Sequence, residues 1–241
     1  MPWFSSWIVY PVMTWMISAG TAMPPQSLAA VKQLPIEYDG RLERFEQFSQ
    51  EVVRKITGQA RFGREEPIVT VLHILANPAT WRDRDCIAVS SRPLRVYLGL
   101  DHEQAYTSYA TLAHSRRFQA ALLLAQQAKL LGKAPVEREL LAVAERFDAM
   151  SRLLSHELNL VPPPRLDEEW LPILRPDGYP ADQQVAVKRI WALFLEAIRE
   201  EHPKRFDQAA EQLLYLLENL KAVTEQATED GGTSRVASRD L

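Results

Sequence analysis

The chain has 241 residues, enough for one large domain or two small ones. Its 31 acidic and 28 basic side chains are interspersed and leave a formal charge of -3, so the basic footprint that a phosphate backbone requires is missing and no nucleic-acid partner is expected. An apolar fraction of 46% suffices for a core, and Cys86, standing alone, excludes an internal disulfide, a cysteine zinc site and haem attachment through paired thioethers.

Sixteen prolines against nine glycines, with helix formers between them, predict helices punctuated by prolines. The expected fold class is therefore all-α: helical hairpins packed as an irregular bundle, with proline-rich connectors and at most one short strand-like segment. From Met1 to Val31 no side chain is charged, and Trp7–Met16 is strongly apolar. This run is short for a spanning helix, which needs about 20 residues. With Gly20-Thr21-Ala22 as a small-residue cleavage pattern, residues 1–25 read as an export signal or N-terminal membrane anchor, although the basic start of a signal peptide is missing.

Gln26–Gln33 predicts a short helix with Leu28 and Val31 on one side, halted by Pro35. Leu34–Gly58 follows, with a turn at Asp39-Gly40 and then Leu42, Phe45, Phe48 or Ser49, Val52, Val53 and Ile56 at three- and four-residue steps, the apolar stripe of an α-helix. Pro67–Ala76 predicts a compact apolar helix with Pro67 in its first turn and Asn77-Pro78 ending it. Cys86–Ser90 is the one strand candidate, and without a visible partner it reads as an extended connector. Pro93–Leu98 predicts a helix stopped by Gly99. Thr107-Ser108 supplies a cap for a short turn and Ser115 a cap for a helix through Leu131. A second long helix runs from Pro135 to about Leu158, joined to the first through Gly132-Lys133-Ala134 as an antiparallel hairpin. Six prolines fall between Asn159 and Pro180, with Trp170, Leu171, Ile173 and Leu174 as apolar anchors. Ala181–Glu200 and Pro203–Thr228 form a further helical pair. In sum, residues 26–160 are a helical domain, 161–180 a proline-rich linker, 181–228 a C-terminal helical hairpin and 229–241 a disordered tail.

The run Leu34-Pro35, Asp39-Gly40-Arg41, Phe48, Glu51-Val52-Val53-Arg54, Ile56-Thr57-Gly58 resembles the start of the extracytoplasmic, soluble region of system II cytochrome c biogenesis proteins of the Ccs/Res type, in the large versions found in planctomycetes and Bacteroidetes. The family motif contains Pro-Leu-Asp-Thr where this sequence carries Arg44, Phe45, Glu46 and Gln47. Asn77-Pro78, Trp81 and Ile87-Ala88-Val89 are similar to the family's next segment, and the likeness extends loosely to Trp170. It singles out Pro35, Gly40, Arg41, Phe48, Glu51 and Gly58 as the structural motif. It implies a non-catalytic accessory domain in haem delivery or apocytochrome handling, outside the cytoplasm, secreted or anchored to the inner membrane. The implied partner is a membrane-embedded cytochrome c biogenesis protein; no cofactor is assigned to the chain itself and its cofactor-binding residues are unknown, haem being possible through that partner. The family's tryptophan-rich haem-handling segment and membrane bundle have no counterpart in this sequence. The competing expectation is a periplasmic helical scaffold or protein-interaction module unrelated to haem.

The residues themselves spell out no catalytic chemistry. His73, His102, His114, His156 and His202 are scattered, with no i, i+4 pair and no His-Glu-x-x-His helix, so no metal site is written locally. Glu65-Glu66, Asp167-Glu168-Glu169 and Glu200-Glu201 read as helix-end charge rather than acid–base pairs. Arg41, just after a glycine turn at what reads as the head of a helix, has the planar fork to clamp a carbonyl or carboxylate, and a structural role without ligand is the simpler reading.

Overall fold

The computed structural model describes residues 28–101, 103–127, 135–165 and 167–236. The segment 1–25, the Gly132-Lys133-Ala134 connection, His102 and the last residues of the tail lie outside them. The described residues form ten helices and six strands, with a four-stranded antiparallel sheet and a two-stranded one, so the all-α expectation is wrong.

The largest correction falls on the organising stretch. Leu34–Gly58 is a β-hairpin followed by a helix: β1 (Pro35–Tyr38) and β2 (Arg41–Arg44) pair in the register Tyr38↔Arg41 through Pro35↔Arg44, and α2 (Phe45–Thr57) begins at the next residue. Asp39 and Gly40 both have positive φ, 49° and 75°, the signature of a two-residue I′ turn whose twist matches that of the strands it joins. Ile36 and Tyr38 are buried while Glu37 between them is not, which is the period-two alternation of a half-buried strand. Leu42, assigned to the helix stripe, is on β2 and 54% exposed. The stripe therefore begins at Phe45.

The stretch taken as linker supplies the other two strands. β5 (Asn159–Val161) pairs with β1, and β6 (Leu171–Pro172) with β5, giving the order β2-β1-β5-β6. Ile173 is fully buried and donates its backbone N–H to the Leu158 carbonyl at 2.9 Å, so the proline-rich segment is pinned at both ends. The Cys86–Ser90 segment, read as a connector, does find a partner: β3 (Ile87–Ala88) pairs with β4 (Tyr106–Thr107).

The helices follow the punctuation of the sequence closely. α1 (Ala29–Gln33) stops before Pro35, and α3 (Pro67–Ala76) opens on Pro67. α4 (Pro78–Arg82) is a single short turn of helix after Asn77. α5 (Arg92–Leu98) ends on Gly99 at φ 74°, and Ser108 caps α6 (Tyr109–His114) by accepting from the Thr111 N–H. Ser115 does the same for α7 (Arg116–Gln127) through the Phe118 N–H at 3.2 Å. α8 (Pro135–Leu154), α9 (Ala181–Arg199) and α10 (Pro203–Val236) complete the set, and α10 continues beyond Thr228, where the sequence was expected to become unstructured.

α3 is the axis of the packing. Eight of its ten residues are buried, because α2, α8 and α9 surround it, and a helix apolar on all sides belongs at the centre. α9 and α10 pack on each other through Trp191, Phe194 and Phe206, with ring centroids 5.5 and 5.2 Å apart in succession. Thr224 of α10 ties the C-terminal pair back to the proline-rich segment by donating to the Pro163 carbonyl, and Tyr179 closes that segment on itself by donating to the Pro162 carbonyl.

Candidate functional site

The residues that carry the family resemblance are not spread over the surface. Pro35 starts β1 and pairs with Arg44, and Gly40 supplies the second turn residue. Phe48, from the first turns of α2, is buried with its ring 5.1 Å from that of Tyr38 in an edge-on contact and 5.5 Å from Phe45. Burying one such ring stabilises by about 1.5–3 kcal/mol, so the aromatic trio is what folds the hairpin down on its own helix. The Phe45 N–H closes the base by donating to the Leu34 carbonyl at 2.9 Å. Gly58 stands apart, at the far end of α2, where φ of 69° makes it the left-handed cap.

Arg41 is on β2 rather than at a helix head. Its Nη2 donates to both carboxylate oxygens of Glu51 on α2, at 3.1 and 3.3 Å, so the pair ties strand to helix across the surface. Both side chains are substantially exposed, and such a pair contributes about 0–1 kcal/mol. The tetrapeptide in which this sequence departs from the family forms the strand–helix junction. Gln47 accepts from the Arg44 N–H at 3.5 Å, Phe45 enters the core, and Glu46 pairs with Lys32 of α1 at 3.1 Å.

Three residues that sequence reasoning passed over organise the hairpin tip. Glu37 accepts from the Gly40 N–H at 2.8 Å with one oxygen and from the Asn159 amide at 2.7 Å with the other, joining the turn to β5. Lys55 donates to the Tyr38 hydroxyl at 2.7 Å and to Asp39 at 3.0 Å, with its ammonium 4.8 Å from the Tyr38 ring centroid. Burial works against the Lys55 ammonium, but these two hydrogen bonds outweigh it and the pKa rises; burial also raises that of the Tyr38 hydroxyl. The available signal was the alternation Ile36-Glu37-Tyr38 around an Asp-Gly turn, which predicts a hairpin and hence a polar outer row.

Two depressions flank this unit. A cleft of about 540 Å³ lies at the hairpin tip against the end of α8, β5 and β6, with Asp148–Arg152 (2.9 Å) and Glu157–Arg175 (3.9 Å) on its rim. A shallower groove of about 580 Å³ runs between β2 and the polar side of α2, lined by Arg41, Leu42, Glu43, Gln47, Gln50, Glu51 and Arg54. In it, Glu43 Oε1 is shielded from solvent and has no hydrogen-bond partner among the described residues. Burial, and then the neighbouring Glu51 charge, hold the Glu43 carboxyl above its ordinary pKa.

The histidines are engaged separately. His73 Nδ1 lies 3.4 Å from Glu65, whose carboxyl is held low chiefly by that contact; His114 bonds the Ala110 carbonyl, and His202 accepts from the Arg205 N–H. His156 accepts from the Trp191 indole N–H at 3.3 Å. Among the described residues no group of three or more His, Cys, Asp or Glu side chains is placed to hold a metal ion, and no helix is long and apolar enough to cross a membrane. Cys86 is buried, and burial pushes its thiol up to about 12, which keeps it protonated and unreactive. No protein-family model matches the chain, and no curated protein matches it significantly.

Proposed function

We propose that the chain is an extracytoplasmic accessory domain of system II cytochrome c biogenesis, acting by binding in haem delivery or apocytochrome handling beside a membrane-embedded partner. The observation that carries this reading is the joining of Gly40, Arg41, Phe48 and Glu51, four residues of the resembling motif, into one hairpin–helix unit with an open groove on its outer side. A motif needed only for packing has no reason to keep Arg41 and Glu51 on the surface, where their pairing adds little stability. The N-terminal segment serves as export signal or anchor in this reading, and any haem comes to the chain through the partner. The test is haem staining of c-type cytochromes in a strain lacking the gene. Loss of the stained bands, with transcripts of the apocytochromes intact, is the expected result. Unimpaired maturation would sink the proposal and leave an interaction module unrelated to haem.

A further inference from the structure

The polar side chains on the rim of the tip cleft satisfy one another, whereas the groove beside β2 holds one carboxylate oxygen, Glu43 Oε1, that is left over. β2 ends the sheet order β2-β1-β5-β6, so its outer edge has no partner strand among the described residues. In a two-residue hairpin the pair closing the turn, here Tyr38 and Arg41, exchanges both backbone hydrogen bonds, and the pattern alternates from there. Arg41 and Glu43 therefore direct their backbone groups to β1, and Leu42 directs its N–H and C=O outward. Glu43 shares the face of Ile36, the side on which α2 lies, and its shielded Oε1 lacks a donor. Arg41 is already engaged by Glu51. Gln47, Gln50, Glu51 and Arg54 of α2 form the opposite wall.

We propose that this groove takes an extended peptide that adds to β2 as a further strand, its backbone paired with Leu42 and a lysine side chain seated on Glu43 between β2 and α2. The occupant follows from complementarity. An outward N–H and C=O on one strand residue are matched by another extended backbone, not by a helix, whose backbone groups are spent internally. An orphaned carboxylate oxygen selects a cationic donor. The side chains on the α2 wall offer amides and charges to the peptide's neighbouring positions. The edge is short and carries charge, which discourages indiscriminate strand pairing and leaves selectivity to Glu43. The proposal stands without the cytochrome reading, since any unfolded segment with a suitably placed lysine meets its terms.

The probe is a short capped Thr/Val peptide with one central lysine, titrated into the full chain and followed by calorimetry and by the amide resonance of Leu42. Saturable binding with Kd below about 1 mM and a shifted, exchange-protected Leu42 amide are expected. A lysine opposite Glu43 occupies a non-hydrogen-bonded position, so the residues on either side of it carry the N–H groups that face β2. Methylating those two nitrogens should abolish binding. Replacing the lysine by glutamate, or Glu43→Gln in the protein, should weaken it by about tenfold or more. Failure to saturate at several times about 1 mM, binding that survives methylation of those nitrogens, or equal affinity for the lysine and glutamate peptides would overturn the proposal. The peptide variants leave the protein untouched, so an unstable Glu43→Gln chain does not spoil the test.

Discussion

Replacing Gly40 tests the left-handed turn that joins β1 to β2. Gly40 has φ of +75° and a Cβ added there would meet no heavy atom within 4 Å, so the effect of Gly40→Ala comes from the backbone alone. Holding a residue with a Cβ in the left-handed region costs about 1–2 kcal/mol. Ala also restricts the unfolded chain, which returns about 0.4–1 kcal/mol. The net is a loss of about 1 kcal/mol, or about 2–4 °C in Tm for a chain of this size. Gly40→Asn should lose less, because asparagine tolerates the left-handed region and suits a two-residue turn. Were Gly40 instead in a helix, Gly40→Ala would gain up to about 1 kcal/mol. Urea unfolding followed by far-UV circular dichroism reads the difference. An Ala variant as stable as the parent or more so, or an Asn variant less stable than Ala, would refute the turn assignment.

Phe48→Ala should cost about 3–5 kcal/mol in the same assay, because its ring is 1% exposed and meets both Tyr38 and Phe45. His156 is half-buried, and burial, then Arg199, hold its pKa below 6.5. The unfolded chain therefore binds more protons than the folded one as pH falls below 6.5, so this contribution to stability is complete above that value and is lost through the window beneath it. His156→Asn keeps a residue suited to the positive φ at this position while removing the titration, and should flatten the fall in Tm on mild acidification. Cys86 should resist alkylation at neutral pH until the chain unfolds, as followed by mass spectrometry in increasing urea.

What the sequence displayed well was punctuation. Pro67, Gly99 and Ser108 sit at helix ends because each solves a local problem of an unpaired N–H or a left-handed φ, and local problems are visible in a window of a few residues. The hairpin was hidden by coincidence: Leu42 is three residues before Phe45, so it extends the helical stripe backwards, although β2 carries it to the surface. The remaining sheet was hidden by distance. Glu37 meets Asn159 across 122 positions, and the proline-rich sequence around β5 and β6 resembles a tether until β1 is there to pair with it. β4 is two residues long, too short for a pattern of its own. At the site, Arg41 was legible as a clamp by chemical type, but its partner Glu51 was not. Ten positions apart on two elements, they meet only because α2 folds back beside β2 at the Arg44–Phe45 junction. Glu43 emerged as an orphan only once its neighbours were placed.

The central claim is that function resides on the outer side of the hairpin–helix unit, and a blocked groove tests it most directly. Gln50 is exposed, lines the groove and takes no part in the core, so Gln50→Trp fills the space without touching the fold. The variant is expressed in the deletion strain, its folding is checked by Tm, and c-type cytochromes are measured by haem staining. The account predicts a chain of parental stability that fails to restore the stained bands. Full restoration by the blocked chain would contradict it.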